Sequence, residues 1–163
     1  MGKKPAGFQE PFAIIAHAIA GHRQLSSKQA CVRLIPGNSC FMKTVAIIGA
    51  SANRSKYGNK AVRAFQQQGY TVYPVNPGVV EIEGLPAFKS IRDVPDRPQM
   101  ISVYVPPAVL LDILPDIAAR GCDELWLNPG TESDEVLAEA ERLSLPVIQA
   151  CSIVGVGMSP GGL

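Results

Sequence analysis

A strand–loop–helix–strand pattern over residues 43–77 constrains the fold of this chain more than any other feature. The apolar run Thr44–Ile48 has the composition of a strand that is buried on both faces of a parallel sheet. Gly49 follows it directly and opens a polar loop, residues 50–57, after which apolar residues recur at helical spacing. A second strand, Thr71–Val75, comes next. The pattern predicts a β-α-β unit whose loop lies at the carboxyl edge of the sheet, where open α/β sheets bind ligands.

The composition of that loop favours a phosphate group. A helix that starts near Gly58 directs unpaired backbone N–H groups and the positive end of its dipole towards the loop. Arg54 and Lys56 add two cations. Three short polar side chains add hydrogen-bonding groups: Ser51, Asn53 and Ser55. We therefore predict phosphate binding here, and the alternative is a solvated loop that is basic by chance.

The glycine pattern argues against a dinucleotide. The dinucleotide motif is G-x-G-x-x-G, with an acidic residue at the end of the second strand that binds the ribose. Here the glycines are Gly49 and Gly58, and the second strand ends in Val75, Asn76 and Pro77, without a carboxylate. NAD is therefore disfavoured, and a nicotinamide or flavin oxidoreductase remains an alternative.

Four short motifs around the first two strands are specific in combination. They are the Gly49-Ala50-Ser51 turn, Gly58, the sequence G-Y-x-V-Y-P-V-N-P at residues 69–77, and Ile82-x-Gly84. Together they resemble the CoA-binding domain family, small Rossmann-like proteins similar to the CoA-binding domain of the succinyl-CoA synthetase α subunit. The likeness runs over residues 42–154 and implies CoA or acyl-CoA as the ligand.

The resemblance also extends the candidate site beyond the first loop. In the resembled family the end of the next long strand lies against the nucleotide, although the prolines at that position could equally serve only to end the strand. The loop after the fourth strand reaches the same edge, and we expect it to touch the pantetheine arm. The candidate cofactor-binding residues are Gly49, Ala50, Ser51, Asn53, Arg54, Ser55, Lys56, Tyr57, Gly58, Val75, Asn76, Pro77, Val105, Pro106, Pro107, Asn128 and Gly130. Relatives of succinyl-CoA synthetase often carry a basic residue, able to meet a CoA phosphate, where this chain has Val79.

The rest of the chain continues the alternation of strands and helices. Strands are expected at residues 99–105, 124–128 and 146–150. The pattern predicts an α/β, Rossmann-like five-stranded parallel sheet in a three-layer α/β/α arrangement. We expect right-handed crossovers and the strand order 3-2-1-4-5, with the topological switch point beside Gly49.

Two helix signals follow the third and fourth strands. Pro115 lies inside the apolar pattern of the helix that begins at Pro106–Pro107 and predicts a kink or a restart. Ser133 has the position of an N-cap, with Asp134 and Glu135 in the first turn, where the helix dipole favours acids.

The N-terminal residues 1–41 differ in composition from the rest. Residues 1–42 hold five Lys/Arg and one acid, whereas residues 43–163 hold ten Lys/Arg and thirteen Asp/Glu. We expect a poorly ordered extension with a natural start at Met42, which mass spectrometry of the native N terminus would test. A signal or transit peptide is the alternative. The domain is expected over residues 42–154, followed by a flexible tail, residues 155–163.

The sequence also indicates which kinds of partner this protein is expected to bind. The apolar stretch near the N terminus is interrupted by His17 and is too short to span a membrane. The folded part has no basic patch that suggests nucleic acid. A protein partner and a homo-oligomer both stay open.

The cysteines and histidines favour binding over catalysis. Cys31, Cys40, Cys122 and Cys151 match no zinc or redox spacing, and free thiols with a CoA ligand fit the reducing cytoplasm. A mixed disulfide between Cys151 and CoA is a hypothesis for intact-mass analysis. Both histidines precede Met42, so the folded part offers no Ser-His-Asp or Cys-His arrangement. We predict a CoA-binding protein without catalysis of its own, and a degenerate Rossmann regulatory subunit is the remaining alternative.

Overall fold

Five parallel strands form the centre of the computed structural model, which describes residues 43–163. The predictions for residues 1–41 and for a start at Met42 lie outside the described residues. The strands in chain order are β1 (Thr44–Ile48), β2 (Thr71–Val75), β3 (Glu81–Ile82), β4 (Leu85–Pro86), β5 (Met100–Val103), β6 (Glu124–Leu127) and β7 (Val147–Gln149). Of these, β3 and β4 form a separate antiparallel pair, and the other five form the parallel sheet. The helices are α1 (Tyr57–Gln67), α2 (Pro107–Arg120), α3 (Asp134–Arg142) and α4 (Ser152–Gly155), with 3₁₀ turns at Ile91–Asp93 and Pro160–Gly162. The predicted α/β Rossmann-like class is confirmed.

The main sheet has the order β2-β1-β5-β6-β7. The predicted order 3-2-1-4-5 placed the third long strand outside β2, whereas that strand, β5, pairs with β1. Phe88 covers the outer edge of β2 instead: its N–H donates to the Pro74 carbonyl (2.8 Å) and its carbonyl accepts from the Asn76 N–H (2.8 Å). Pro74 has no N–H to offer a further strand, which suits it to an edge. The switch point therefore lies between β1 and β5, still beside Gly49.

The side chains of β1 divide the core into two layers. Val45 and Ile47 pack on one face of the sheet with apolar residues of α1 and α4. Ala46 and Ile48 pack on the other face with apolar residues of α2 and α3. All four side chains are buried, as expected for a strand covered on both faces. Helices on both faces give the three-layer arrangement and leave the loops at the edge of the sheet.

Two segments differ in detail from expectation. Helix α2 continues through Pro115 as a single element rather than restarting. Pro115 is exposed, so the carbonyl that loses its helical partner can hydrogen-bond to water. Residues 155–163, for which we expected a flexible tail, contain the end of α4 and a 3₁₀ turn, and Met158 and Leu163 pack against the α1 side of the core.

Candidate functional site

A cleft of about 740 Å³ opens at the carboxyl edge of the sheet, between the loops that follow β1, β2, β5 and β6. Of the candidate binding residues, those that line it are Gly49, Ala50, Ser51, Lys56, Tyr57, Gly58, Asn76, Val105, Pro106, Asn128 and Gly130. Those outside the lining are Asn53, Arg54, Ser55, Val75, Pro77 and Pro107. The fold thus gathers residues that are far apart in sequence into one concave surface.

Two glycines bring the backbone close together at the base of this cleft. Gly49 has φ +84°, and a Cβ there would lie 2.7 Å from the Tyr104 carbonyl oxygen. A Cβ on Gly58, in the first turn of α1, would overlap the carbonyl oxygen of Gly49. Both positions therefore require glycine, because any side chain would push α1 and β5 away from the β1–α1 loop, which we define as residues 49–56.

The start of α1 is left open towards the cleft. Its N-cap residue, Lys56, makes no side-chain capping hydrogen bond, and its first turn contains no acidic residue. Tyr57 and Gly58, the first two helical residues, both line the cleft. The first N–H groups of a helix have no intrahelical partner and carry the positive end of its dipole. The arrangement suits an anion, with the Lys56 ammonium as a further positive charge.

The side chains in the middle of the β1–α1 loop hold the loop itself. Ser51 Oγ accepts from the Asn53 N–H (3.1 Å), and Asn53 Oδ1 accepts from the Ser55 N–H (3.0 Å) and hydroxyl (2.7 Å). Arg54 pairs with Glu83 of the β3–β4 turn, with 3.3 Å between Nε and Oε1. These groups shape the loop, and they leave Lys56 as the basic residue of the loop that lies on the cleft lining.

Two asparagines at strand ends also have structural duties. The side-chain N–H of Asn76 donates to the Ala50 carbonyl (2.6 Å), and its Oδ1 accepts from the Gly78 N–H (2.8 Å). Asn128 is buried, donates to the Val103 carbonyl (2.9 Å) and accepts from the Ser152 N–H (2.9 Å). Both therefore fix the loops around the cleft, and Asn76 occupies the place where dinucleotide-binding folds carry an acid.

Sequence reasoning missed three lining residues: Tyr104, Thr131 and Pro160. Two further lining residues were anticipated, since Pro129 lies in the loop expected to touch the pantetheine arm and Cys151 is the residue of the mixed-disulfide hypothesis. Tyr104 directly precedes the candidate Val105 and follows the alternation of strand residues, so its position at the cleft could have been predicted from the sequence. Its hydroxyl lies 2.9 Å from Ser152 Oγ, and burial raises its pKa to about 12, so the phenol stays protonated. Pro160 comes from the expected tail, and its carbonyl accepts from Lys60 Nζ (2.6 Å).

The polar side chains beneath the cleft are mostly neutral. Residues 43–163 contain no histidine. Within the same residues there is no group of His, Cys, Asp or Glu side chains suited to a metal ion. The polar cluster beneath the cleft consists of neutral groups that satisfy one another: Ser102, Tyr104, Asn128 and Ser152. None of the helices in this part of the chain is long and apolar enough to cross a membrane.

Comparison with known proteins identifies relatives of most of the described region. A family model described as a CoA binding domain matches residues 43–156. An ADP-forming acetate–CoA ligase II from Archaeoglobus fulgidus is 32% identical over 127 residues, covering 76% of this chain and 19% of the ligase. The alpha subunit of an ADP-forming acetate–CoA ligase I from Pyrococcus furiosus is 34% identical, covering 74% of this chain and 29% of that subunit. The chain thus spans less than a third of either relative.

Solved structures share the fold. A conserved hypothetical protein from Pyrococcus furiosus superposes with a TM-score of 0.65 at 34% identity, covering 69% of this chain and 98% of that chain. A dinucleotide-forming acetyl-coenzyme A synthetase 1 from Ca. Korarchaeum cryptofilum superposes with a TM-score of 0.59 at 26% identity, covering 66% of this chain and 25% of that chain. The same architecture therefore occurs both in a small protein and as one part of a larger enzyme.

Proposed function

The chain belongs to the CoA-binding domain family, and on that premise we propose that its cleft holds CoA or an acyl-CoA by the diphosphate at the β1–α1 loop. The proposal depends chiefly on one observation, the uncapped N terminus of α1 beside Lys56. Backbone N–H groups at a helix N terminus bind phosphate well because they combine hydrogen bonding with the dipole. The pantetheine arm is then expected to run along the cleft towards Asn128 and Gly130.

We further propose that this module binds CoA without turning it over on its own. The buried polar groups beneath the cleft are neutral hydroxyls and amides, and such groups orient a ligand rather than supply acid–base chemistry. The relatives named as ligases are much longer than the matched region, and one is named as a subunit. A protein partner that uses the bound CoA is therefore part of the proposal, as is a reducing compartment for its free thiols.

Calorimetric titration with CoA, acetyl-CoA, dephospho-CoA and NAD(H) tests this function. We expect binding of CoA and no binding of NAD(H), because Asn76 stands where a ribose-binding acid is needed and its amide is already bonded. Binding of NAD(H) without CoA would favour an oxidoreductase. The absence of binding to all of these ligands would favour a regulatory subunit and overturn the proposal.

A pair of variants locates the ligand in the cleft. Lys56→Ala should weaken CoA binding by about tenfold or more, since a charge-assisted contact contributes roughly 1.5–3 kcal/mol. Arg54→Ala should weaken it less, because Arg54 is off the cleft lining and already paired with Glu83. The matched control is Lys89→Ala, which removes an exposed lysine elsewhere. Equal losses for Lys56→Ala and Lys89→Ala would show that the loop is not the binding site.

A further inference from the structure

Glu83 has a backbone conformation that its residue type does not favour. It forms, with Gly84, the two-residue turn between β3 and β4, in which Ile82 pairs with Leu85. The φ angles are +51° at Glu83 and +77° at Gly84. Turns with two positive φ angles favour Asn-Gly, Asp-Gly or Gly-Gly, because most side chains are strained in the left-handed region. The chain therefore carries a glutamate where the backbone alone would select a smaller residue.

The turn contrasts with the other non-glycine residue of positive φ among residues 43–163. Ser144 has φ +54° and comes directly after the C-cap of α3. A left-handed residue at a helix end satisfies the last carbonyls and is common there. No such backbone requirement calls for glutamate at position 83. Strain that persists at one residue points to a role for its side chain.

The Glu83 side chain reaches the base of the β1–α1 loop. Its Oε1 accepts from Asn59 Nδ2 (3.0 Å), and the same nitrogen donates to the carbonyl of Ser51 (2.8 Å). Asn59 is fully buried in α1, while Ser51 lies on the cleft lining. Both N–H groups of the Asn59 amide are thereby used. The carboxylate thus connects the β3–β4 turn to the wall of the cleft through one buried amide.

Two arginines close this network. Arg63 Nε donates to Asn59 Oδ1 (2.9 Å), and Arg63 Nη2 donates to the Arg54 carbonyl (3.1 Å). Arg54 Nε in turn lies 3.3 Å from Glu83 Oε1, with 67% of the Arg54 side chain exposed. An ion pair that exposed contributes little to stability. The bond from the buried Asn59 amide to Glu83 is therefore the stronger part of the network, because an unsatisfied buried amide is costly.

We propose that Glu83 is a positioning residue: it holds Asn59, and through Asn59 the Ser51 carbonyl, so that the β1–α1 loop is already arranged for the diphosphate. The inference rests on the proposed function for the identity of the ligand. It adds a residue outside the cleft lining that sets affinity without touching CoA. A preorganised loop has less ordering left to undergo when the ligand binds, and affinity rises accordingly.

The test compares Glu83→Gly with Glu83→Gln. Glu83→Gly relieves the strained φ but removes the acceptor for Asn59, so the two effects oppose each other in the melting temperature. We expect CoA affinity to fall about tenfold while the melting temperature changes by only a few degrees. Glu83→Gln keeps an acceptor oxygen and should stay within about twofold of the wild-type affinity. Glu81→Gln, which neutralises an exposed carboxylate in the same hairpin, is the control.

Amide hydrogen exchange over residues 51–56 gives a readout that needs no ligand. Exchange should be faster in Glu83→Gly than in the wild type, and Glu83→Gln should exchange at the wild-type rate. The reason is that only Glu83→Gly removes the side-chain acceptor of the Asn59 amide. If the wild type fails to bind CoA, the proposed function fails, while the exchange comparison still decides the positioning role. Unchanged hydrogen exchange and unchanged CoA affinity in Glu83→Gly would overturn the inference. So would a loss of CoA affinity in Glu83→Gln as large as that in Glu83→Gly.

Discussion

Two loops leave the carboxyl edge of the sheet and lead into a helix: the β1–α1 loop and the loop between β6 and α3. They differ in how the N terminus of the following helix is capped. At α3, Ser133 Oγ accepts from the Val136 N–H (3.3 Å), and Asp134 and Glu135 occupy the first turn. Hydrogen bonds from its own backbone and from Ser133 lower the pKa of Glu135. This N terminus is satisfied by its own residues.

The turn just before α3 is closed in the same way. The carboxylate of Glu132 accepts from the backbone N–H groups of Gly130 (2.8 Å) and Thr131 (2.9 Å), both of which line the cleft. At α1 the N-cap is Lys56, with neither a side-chain cap nor an acid in the first turn. An N-cap side chain contributes about 1 kcal/mol to stability. We infer from the contrast that α1 lacks this contribution to stability, and that its first N–H groups are available to bind an external anion.

The largest expected effect comes from blocking the close approach that makes the open N terminus accessible. Gly58→Ala places a methyl group against the Gly49 carbonyl, so the loop and α1 must move apart. Overpacking of this kind costs about 1–3 kcal/mol of stability. Loss of two charge-assisted backbone contacts should weaken CoA binding by about a hundredfold or more in calorimetry. Gly78→Ala, where the nearest atom is 3.5 Å away, is the control and should bind normally.

Giving α1 the kind of cap that α3 has should separate stability from affinity. Lys56→Asp supplies a carboxylate for the first N–H groups and should raise stability by about 1 kcal/mol, or roughly 4 °C in melting temperature. The same carboxylate competes with the diphosphate and removes a cation, so CoA affinity should fall by about two orders of magnitude. Thermal melts and calorimetry on one protein sample measure both. A parallel fall in stability and affinity would contradict the comparison.

Removing the cap from α3 is the converse experiment. Ser133→Ala leaves the Val136 N–H without its side-chain acceptor and should cost about 1 kcal/mol of stability, measured by urea denaturation. CoA affinity should remain within about twofold of the wild type, because Ser133 is not on the cleft lining. A larger loss of affinity would mean that the two loops are coupled rather than independent.

A smaller effect should distinguish the two described cysteines. Cys151 is half-buried on the cleft lining, whereas Cys122 is buried, and burial raises its pKa to about 11. Because thiolates are the reactive form, iodoacetamide at pH 8 should modify Cys151 and leave Cys122 largely intact. Peptide mass mapping resolves the two sites from Cys31 and Cys40. CoA should slow the reaction of Cys151, and no protection would place the ligand away from this wall.

Much of the sheet and the β1–α1 unit could be predicted from local signals. Buried strands such as β1 are continuous apolar runs, and Ser133 with its two acids marks the start of α3 without tertiary information. One further local signal would have improved the prediction of the strand order. Pro74 within β2 indicates an edge strand, so the next long strand had to lie on the other side of β1.

The candidate site was less predictable wherever long-range contacts decide a side chain's role. Arg54 looks like a phosphate ligand in sequence, but Glu83, which pairs with it, comes from a hairpin that only the fold brings near. Asn128 lines the cleft as expected, but its side-chain amide also bonds to β5 and α4, which its position in the sequence does not reveal. Pro160 reaches the cleft from a segment with no periodic pattern. These outcomes depend on tertiary packing, which residue type and spacing do not encode.

The most direct measurement of the central claim follows the backbone amides at the start of α1 by NMR during titration with CoA and, separately, with pantetheine, which lacks the diphosphate. We expect the amide resonances of Tyr57 and Gly58 to shift strongly with CoA and scarcely with pantetheine. If those two amides stay unchanged at saturating CoA, or shift equally with pantetheine, the diphosphate does not bind at the N terminus of α1.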